Sequence, residues 1–160
     1  MRIALLVLIV LAAALAPIGV ATGQARTSWY APLSADEEVP RNNSRGTGFA
    51  TFEMAPNNTL RYYLFVDNIQ NVQMAHIHIA PAGQNGGVAI WLYPPAPPAR
   101  LIAGAVSGAI GEGTIAVANF TGPLQGQQFS ALINALNNGQ AYVNVHTNQF
   151  PGGEIRGQIR

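Results

Sequence analysis

The sequence predicts an all-β domain, and three features predict it. Most of the chain after residue 26 alternates with period two. Clusters of turn-forming residues recur about every eight to twelve positions, and one segment alone has a helical period. Together these are the signature of a β-sandwich or barrel of about eight short antiparallel strands.

The predicted strands can be taken in order. Residues 29–33 carry Trp29 and Tyr30. Residues 48–54 alternate Gly, Ala, Phe and Met with smaller or charged residues. Residues 60–66 read Leu-Arg-Tyr-Tyr-Leu-Phe-Val, aromatic and β-branched as strands prefer. Further strands are expected at 72–79, 88–93, 103–110, 140–147 and 154–159. Turn clusters at 40–46, 56–59, 67–71, 81–87, 94–98 and 150–153 separate them. The Pro-rich piece 93–100 reads as a rigid surface loop rather than a polyproline ligand. The exception is 127–136, where Phe129, Leu132, Ile133 and Leu136 fall at i, i+3, i+4 and i+7; a short helix is expected there, ended by Asn137, Asn138 and Gly139.

The chain of 160 residues is 49% hydrophobic and only 9% charged, apolar for a soluble domain, and its N-terminus explains why. Arg2 precedes an apolar stretch from Ile3 to Val20, followed by small residues: a secretory signal peptide over 1–25. Cleavage is expected after Ala25, with Ala21 as the close alternative. An uncleaved membrane anchor is the competing reading, opposed by Pro17 and Gly19. Residues 26–160 then form one domain with seven arginines, no lysine and seven acids, hence no net charge and no basic patch for nucleic acid. Cysteine is absent, which excludes disulfides, thiolate metal sites and cysteine nucleophiles. Asn42, Asn57 and Asn119 each open an N-x-Ser/Thr sequon.

Chemistry concentrates on one polar strand face. In a strand, residues two apart share a side, so His76 and His78 lie together, opposite Ala75, Ile77 and Ile79. Likewise Tyr142, Asn144 and His146 share a face, as do Glu154, Arg156 and Gln158. Were these strands neighbours, three imidazoles would converge, supplying the three protein ligands of many zinc and copper sites with one position open. Asn144 and Glu154 would orient the rings, or Glu154 would act as general base. Imidazole and carboxylate without sulfur favour Zn or Cu(II). The competing reading, which the residues favour, is a polar ladder in which Arg156 pairs with Glu154 or an Asn carbonyl. Gly83, Gly86 and Gly87 allow a tight loop beside this face. Asp36, Glu37 and Glu38 read as a solvated acidic turn. No G-x-S-x-G elbow, phosphate loop or H-E-x-x-H motif is present.

These residues resemble a known family. Ala75-His76-Ile77-His78, Pro81-Ala82-Gly83 and Asn85-Gly86-Gly87-Val88 are similar to one signature of the chordin domain (CHRD). Residues 142–147 (Tyr-Val-Asn-Val-His-Thr) with 151–158 (Pro-Gly-Gly-Glu-Ile-Arg-Gly-Gln) are similar to another, and weaker agreement at 33–40 and 46–52 extends the resemblance over 29–160. The family often has glycine where Ile79-Ala80 stands, and an apolar residue or proline in place of Arg41. The resemblance implies an extracellular immunoglobulin-like, Greek-key β-sandwich, found as repeats in chordin and as single domains in bacteria. The His-x-His and glycine loop also resemble copper/zinc superoxide dismutase, in part only, since three histidines cannot build a bimetallic site.

The leading expectation is therefore a secreted, non-catalytic binding or structural module for an extracellular protein or glycan, with no nucleic-acid partner and a membrane role only if the N-terminal segment is kept. The alternative is a mononuclear His₃ metal protein on His76, His78 and His146, with catalysis left open.

Overall fold

A computed structural model describes residues 26–160; the expected signal peptide, its cleavage position and the anchor alternative all lie outside the described residues. Seven strands form: β1 (Ser28–Ser34), β2 (Thr47–Ala55), β3 (Thr59–Ile79), β4 (Gly87–Tyr93), β5 (Ile102–Ile115), β6 (Ala141–Thr147) and β7 (Ile155–Gln158). One helix, α1 (Phe129–Asn137), lies where the i, i+3, i+4, i+7 pattern predicts it. It buries Phe129, Leu132 and Leu136, and Gly139 just past its end takes φ +62°, as a left-handed stop requires. No helix among the described residues is long and apolar enough to cross a membrane.

The expected immunoglobulin-like sandwich is not what forms. Hydrogen bonding runs without a break through β2-β1-β7-β6-β3, and β3 pairs again with β2, so five strands close into a barrel; β4 and β5 are two further strands joined to β3. A sandwich needs two separate sheets facing each other, and here one sheet curls onto itself. The cause lies in residues 67–71, read from sequence as a turn. The chain passes through them without reversing, so the expected strands 60–66 and 72–79 are one 21-residue strand, and seven strands form instead of eight. Asn68 and Asn71 take φ of 52° and 53°, and the pairing with β5 shifts register there. These are bulges, which bend a strand and increase its twist. Before the bend β3 pairs with β2, after it with β6 and β4, and β5 follows it through the bend as far as Val72.

One apolar cluster fills the barrel, with Trp29 and Leu33 of β1, Phe52 of β2, Leu64 and Ile77 of β3, Val143 and Val145 of β6 and Ile155 of β7 all buried. The inward residues are those the period-two reading assigned to the apolar face. The opposite, outward face of β3, β6 and β7 is covered too, by the segments around residues 38–42, 84–86 and 150–153, and that cover turns a polar outer face into a buried site.

Candidate metal centre

Register builds the site. His76 on β3 stands opposite Asn144 on β6, which stands opposite Arg156 on β7; on its other side His76 faces Trp91 on β4. In the next row His78 is opposite Tyr142, and Tyr142 opposite Gln158. His146 pairs with Met74, one row the other way. The three expected histidines are thus brought together, and all are buried, at 2%, 7% and 6% exposed. Each offers a ring nitrogen such that the three atoms lie within 4.8 Å of one another.

The protonation pattern follows from the partners. His78 Nδ1 lies 3.0 Å from the Gly86 carbonyl oxygen, and His146 Nδ1 lies 3.0 Å from that of Pro151. A carbonyl only accepts, so each Nδ1 carries the proton and each Nε2 keeps its lone pair. His76 Nδ1 is 3.2 Å from His146 Nε2 and donates to it, which leaves the lone pair of His76 on Nε2. The Nε2 atoms of His76 and His78 have no partner despite burial. An unpartnered buried ring nitrogen costs about 1–3 kcal/mol, which a metal bond would recover. A backbone carbonyl on the far ring nitrogen is also how metal-binding histidines are commonly oriented.

Burial acts on the charge states as well. It pushes His76 down to about 3, helped by the neighbouring His146 and His78, and His146 down to about 4 against the Pro151 hydrogen bond. Burial lowers His78 too, opposed by the Gly86 carbonyl and aided by Arg156. All three rings are neutral near pH 7, the state in which imidazole binds metal. Two nitrogens on one ion at about 2.0–2.1 Å sit roughly 3.3–4.1 Å apart, against 4.8 Å or less among the ring nitrogens here, and for His146 Nε2 to join an ion the hydrogen bond it accepts from His76 Nδ1 must open. The widest pair would draw in by about an ångström.

The surrounding residues depart from expectation in part. Glu154 precedes β7, and its carboxylate accepts from Ser44 Oγ and Thr147 Oγ1, both fixed away from the histidines. Thr147 points with Val145 to the other side of β6 from His146, so Glu154 orients no ring. Arg156 pairs not with Glu154 but with an Asn carbonyl, the other expected partner: its guanidinium donates to Asn85 Oδ1 and the Gln84 carbonyl and lies 3.4 Å over the ring of Tyr142. Tyr142 in turn stacks on His78, 4.8 Å between centroids and 7° between planes, and accepts the Gly86 N–H. Of the three expected loop glycines, Gly86 bonds within the site, through its carbonyl to His78 and its N–H to Tyr142, whereas a Cβ added at Gly83 would meet open space and one at Gly87 would meet Pro123.

Two contributors escaped the sequence reading. Glu38, expected in a solvated turn, is buried and accepts the side-chain N–H of Asn144; burial raises it to about 7, against the pull of Arg156. Trp91 meets His76 edge to face at 4.3 Å. The signal for Trp91 was its central place in an alternating strand, and for Glu38 the Glu-Val-Pro segment it opens.

Barrel and cluster together define an all-β domain with a buried three-histidine site on its outer wall. The chain belongs to the CHRD family: a profile of the CHRD domain matches residues 29–159 as a single unit. Comparisons with curated proteins and with solved structures returned no match.

Proposed function

We propose that this domain binds one transition-metal ion, zinc or copper, on His76, His78 and His146, with one coordination position left open. The observation that carries the reading is the set of three buried imidazoles, each with a ring nitrogen within 4.8 Å of the others', two of which have an Nε2 without any partner. A purely structural polar ladder would have satisfied those nitrogens, as buried polar groups nearly always are. Donors of imidazole alone suit Zn(II) and Cu(II). Membership of a family generally associated with secreted proteins supports an extracytoplasmic setting. Metal binding also fits the expected role as an extracellular binding module, because the ion would tie β3 and β6 to the loops that present Gly86 and Pro151. No reaction is assigned to the site.

The test is elemental mass spectrometry on protein purified without an affinity tag, beside the His76→Ala/His78→Ala double variant. Near-stoichiometric zinc or copper that is lost in the variant is the expected result. An absence of metal in both, even after incubation with Zn(II) or Cu(II), would overturn the reading.

A further inference from the structure

We infer that the open position of this centre takes a small monovalent anion, and that Arg156 is the residue that favours it. This inference rests on the metal reading above. The first argument is charge. The three ligands are neutral, and among the described residues no carboxylate joins the cluster, so a bound divalent ion keeps its full charge. It does so where the ligand rings are 2–7% exposed, and uncompensated charge in such surroundings is costly.

The second argument is Arg156. It is 1% exposed, and both hydrogen bonds of its guanidinium end on neutral oxygens, those of Asn85 and Gln84. Its cation lies over one face of Tyr142, whose ring is stacked on His78, so it adds positive charge next to a ligand. Neither nearby acid is a hydrogen-bond partner of Arg156: Glu38, which feels its charge, accepts from Asn144, and Glu154 accepts from Ser44 and Thr147. An incoming anion lowers the charge of the metal and meets the field of Arg156. Burial of the site limits that anion to a few atoms. Two unit charges roughly 10 Å apart at an effective dielectric near 20 attract by an amount worth on the order of tenfold in binding.

The experiment uses the Cu(II)-loaded mature protein titrated with azide, read as a ligand-to-metal charge-transfer band, with benzoate as the bulky comparator. Azide is expected to produce a saturable band and benzoate none. Arg156→Met should weaken azide on the order of tenfold, while Arg156→Lys, which keeps the charge, should stay within a few-fold of wild type. Copper bound without an azide band in wild type overturns the anion inference alone, whether or not the Met variant folds. Equal azide affinity in a folded Arg156→Met protein removes Arg156 from it. Failure to bind copper at all overturns both this and the metal reading.

Discussion

At the scale of single residues, the informative atom is His76 Nε2, buried and without a partner. A histidine kept for packing and one kept for metal differ in what a phenyl ring does in its place. Phenylalanine fills nearly the same space against Trp91 and removes the unsatisfied nitrogen, at the expense of the hydrogen bond to His146. One unsatisfied buried nitrogen, His76 Nε2, is removed and another, His146 Nε2, is created, so the two penalties roughly offset. His76→Phe is therefore expected to unfold within about 1 kcal/mol of the metal-free wild type, whereas His76→Ala, which leaves a cavity, should cost about 2–4 kcal/mol. Both variants should lose the rise in melting temperature that zinc or copper gives wild type by binding the folded state. Thermal denaturation with and without metal measures each arm, and an undiminished metal-induced rise in His76→Phe would show that this ring is not a ligand.

At the scale of elements, the barrel depends on a short seam. β7 meets β1 through the pairing of Ser34 with Arg156 and through backbone hydrogen bonds exchanged by Tyr30 and Arg160, at 2.9 and 3.0 Å. Between them Gly157 lies so close to the Pro32 carbonyl that a Cβ would overlap it. Backbone cannot yield as a flexible side chain does, so Gly157→Ala should force β7 away from β1 and cost about 3 kcal/mol or more, read from the midpoint of denaturant unfolding. A variant as stable as wild type would mean that the seam closes less tightly than described. Strand faces and the helix were legible from periodicity, because burial on one side writes itself into alternate residues. The closure was not. Asn68 and Asn71 favour left-handed backbone equally in a turn and in a bulge, and only the partners of β3 on either side of the bend decide between them. The co-facing of His76 and His78 was legible for the same reason as the strands. The burial of Glu38 and the engagement of Glu154 were not, since loops of no fixed period set both.

At the scale of the whole molecule, the buried ionisable groups oppose one another, and their balance sets how stability follows pH. The histidines are depressed in the folded state from 6.5, to about 3 for His76 and about 4 for His146, with His78 also lowered. Below pH 6.5 the unfolded chain takes up protons that the folded chain refuses, so each histidine removes stability as pH falls from 6.5 toward its folded value. Glu38 works in the other sense. Its folded value is raised from 4.5 to about 7, so between those limits the folded state holds a proton the unfolded state has released. Its contribution is complete at low pH and is lost as pH rises to about 7. From pH 6.5 down to 4.5 His76 and His146 act against Glu38, and at up to about 1.4 kcal/mol per pH unit for each group the net loss approaches roughly 1.4 kcal/mol per unit, with His78 acting in the same direction as the other histidines. Against a typical domain stability of about 5–15 kcal/mol, that is a large fraction of what keeps the metal-free protein folded. Just above pH 6.5 the unfolded histidines are still partly protonated, which offsets Glu38, so stability should level off between about pH 7 and 8. Denaturant midpoints of the metal-free protein from pH 4.5 to 8 measure the curve. Glu38→Gln should steepen the acid limb, His76→Phe should make the acid limb shallower by one group, and a wild-type midpoint that does not change between pH 4.5 and 6.5 would mean that the buried histidines are not held neutral by the fold.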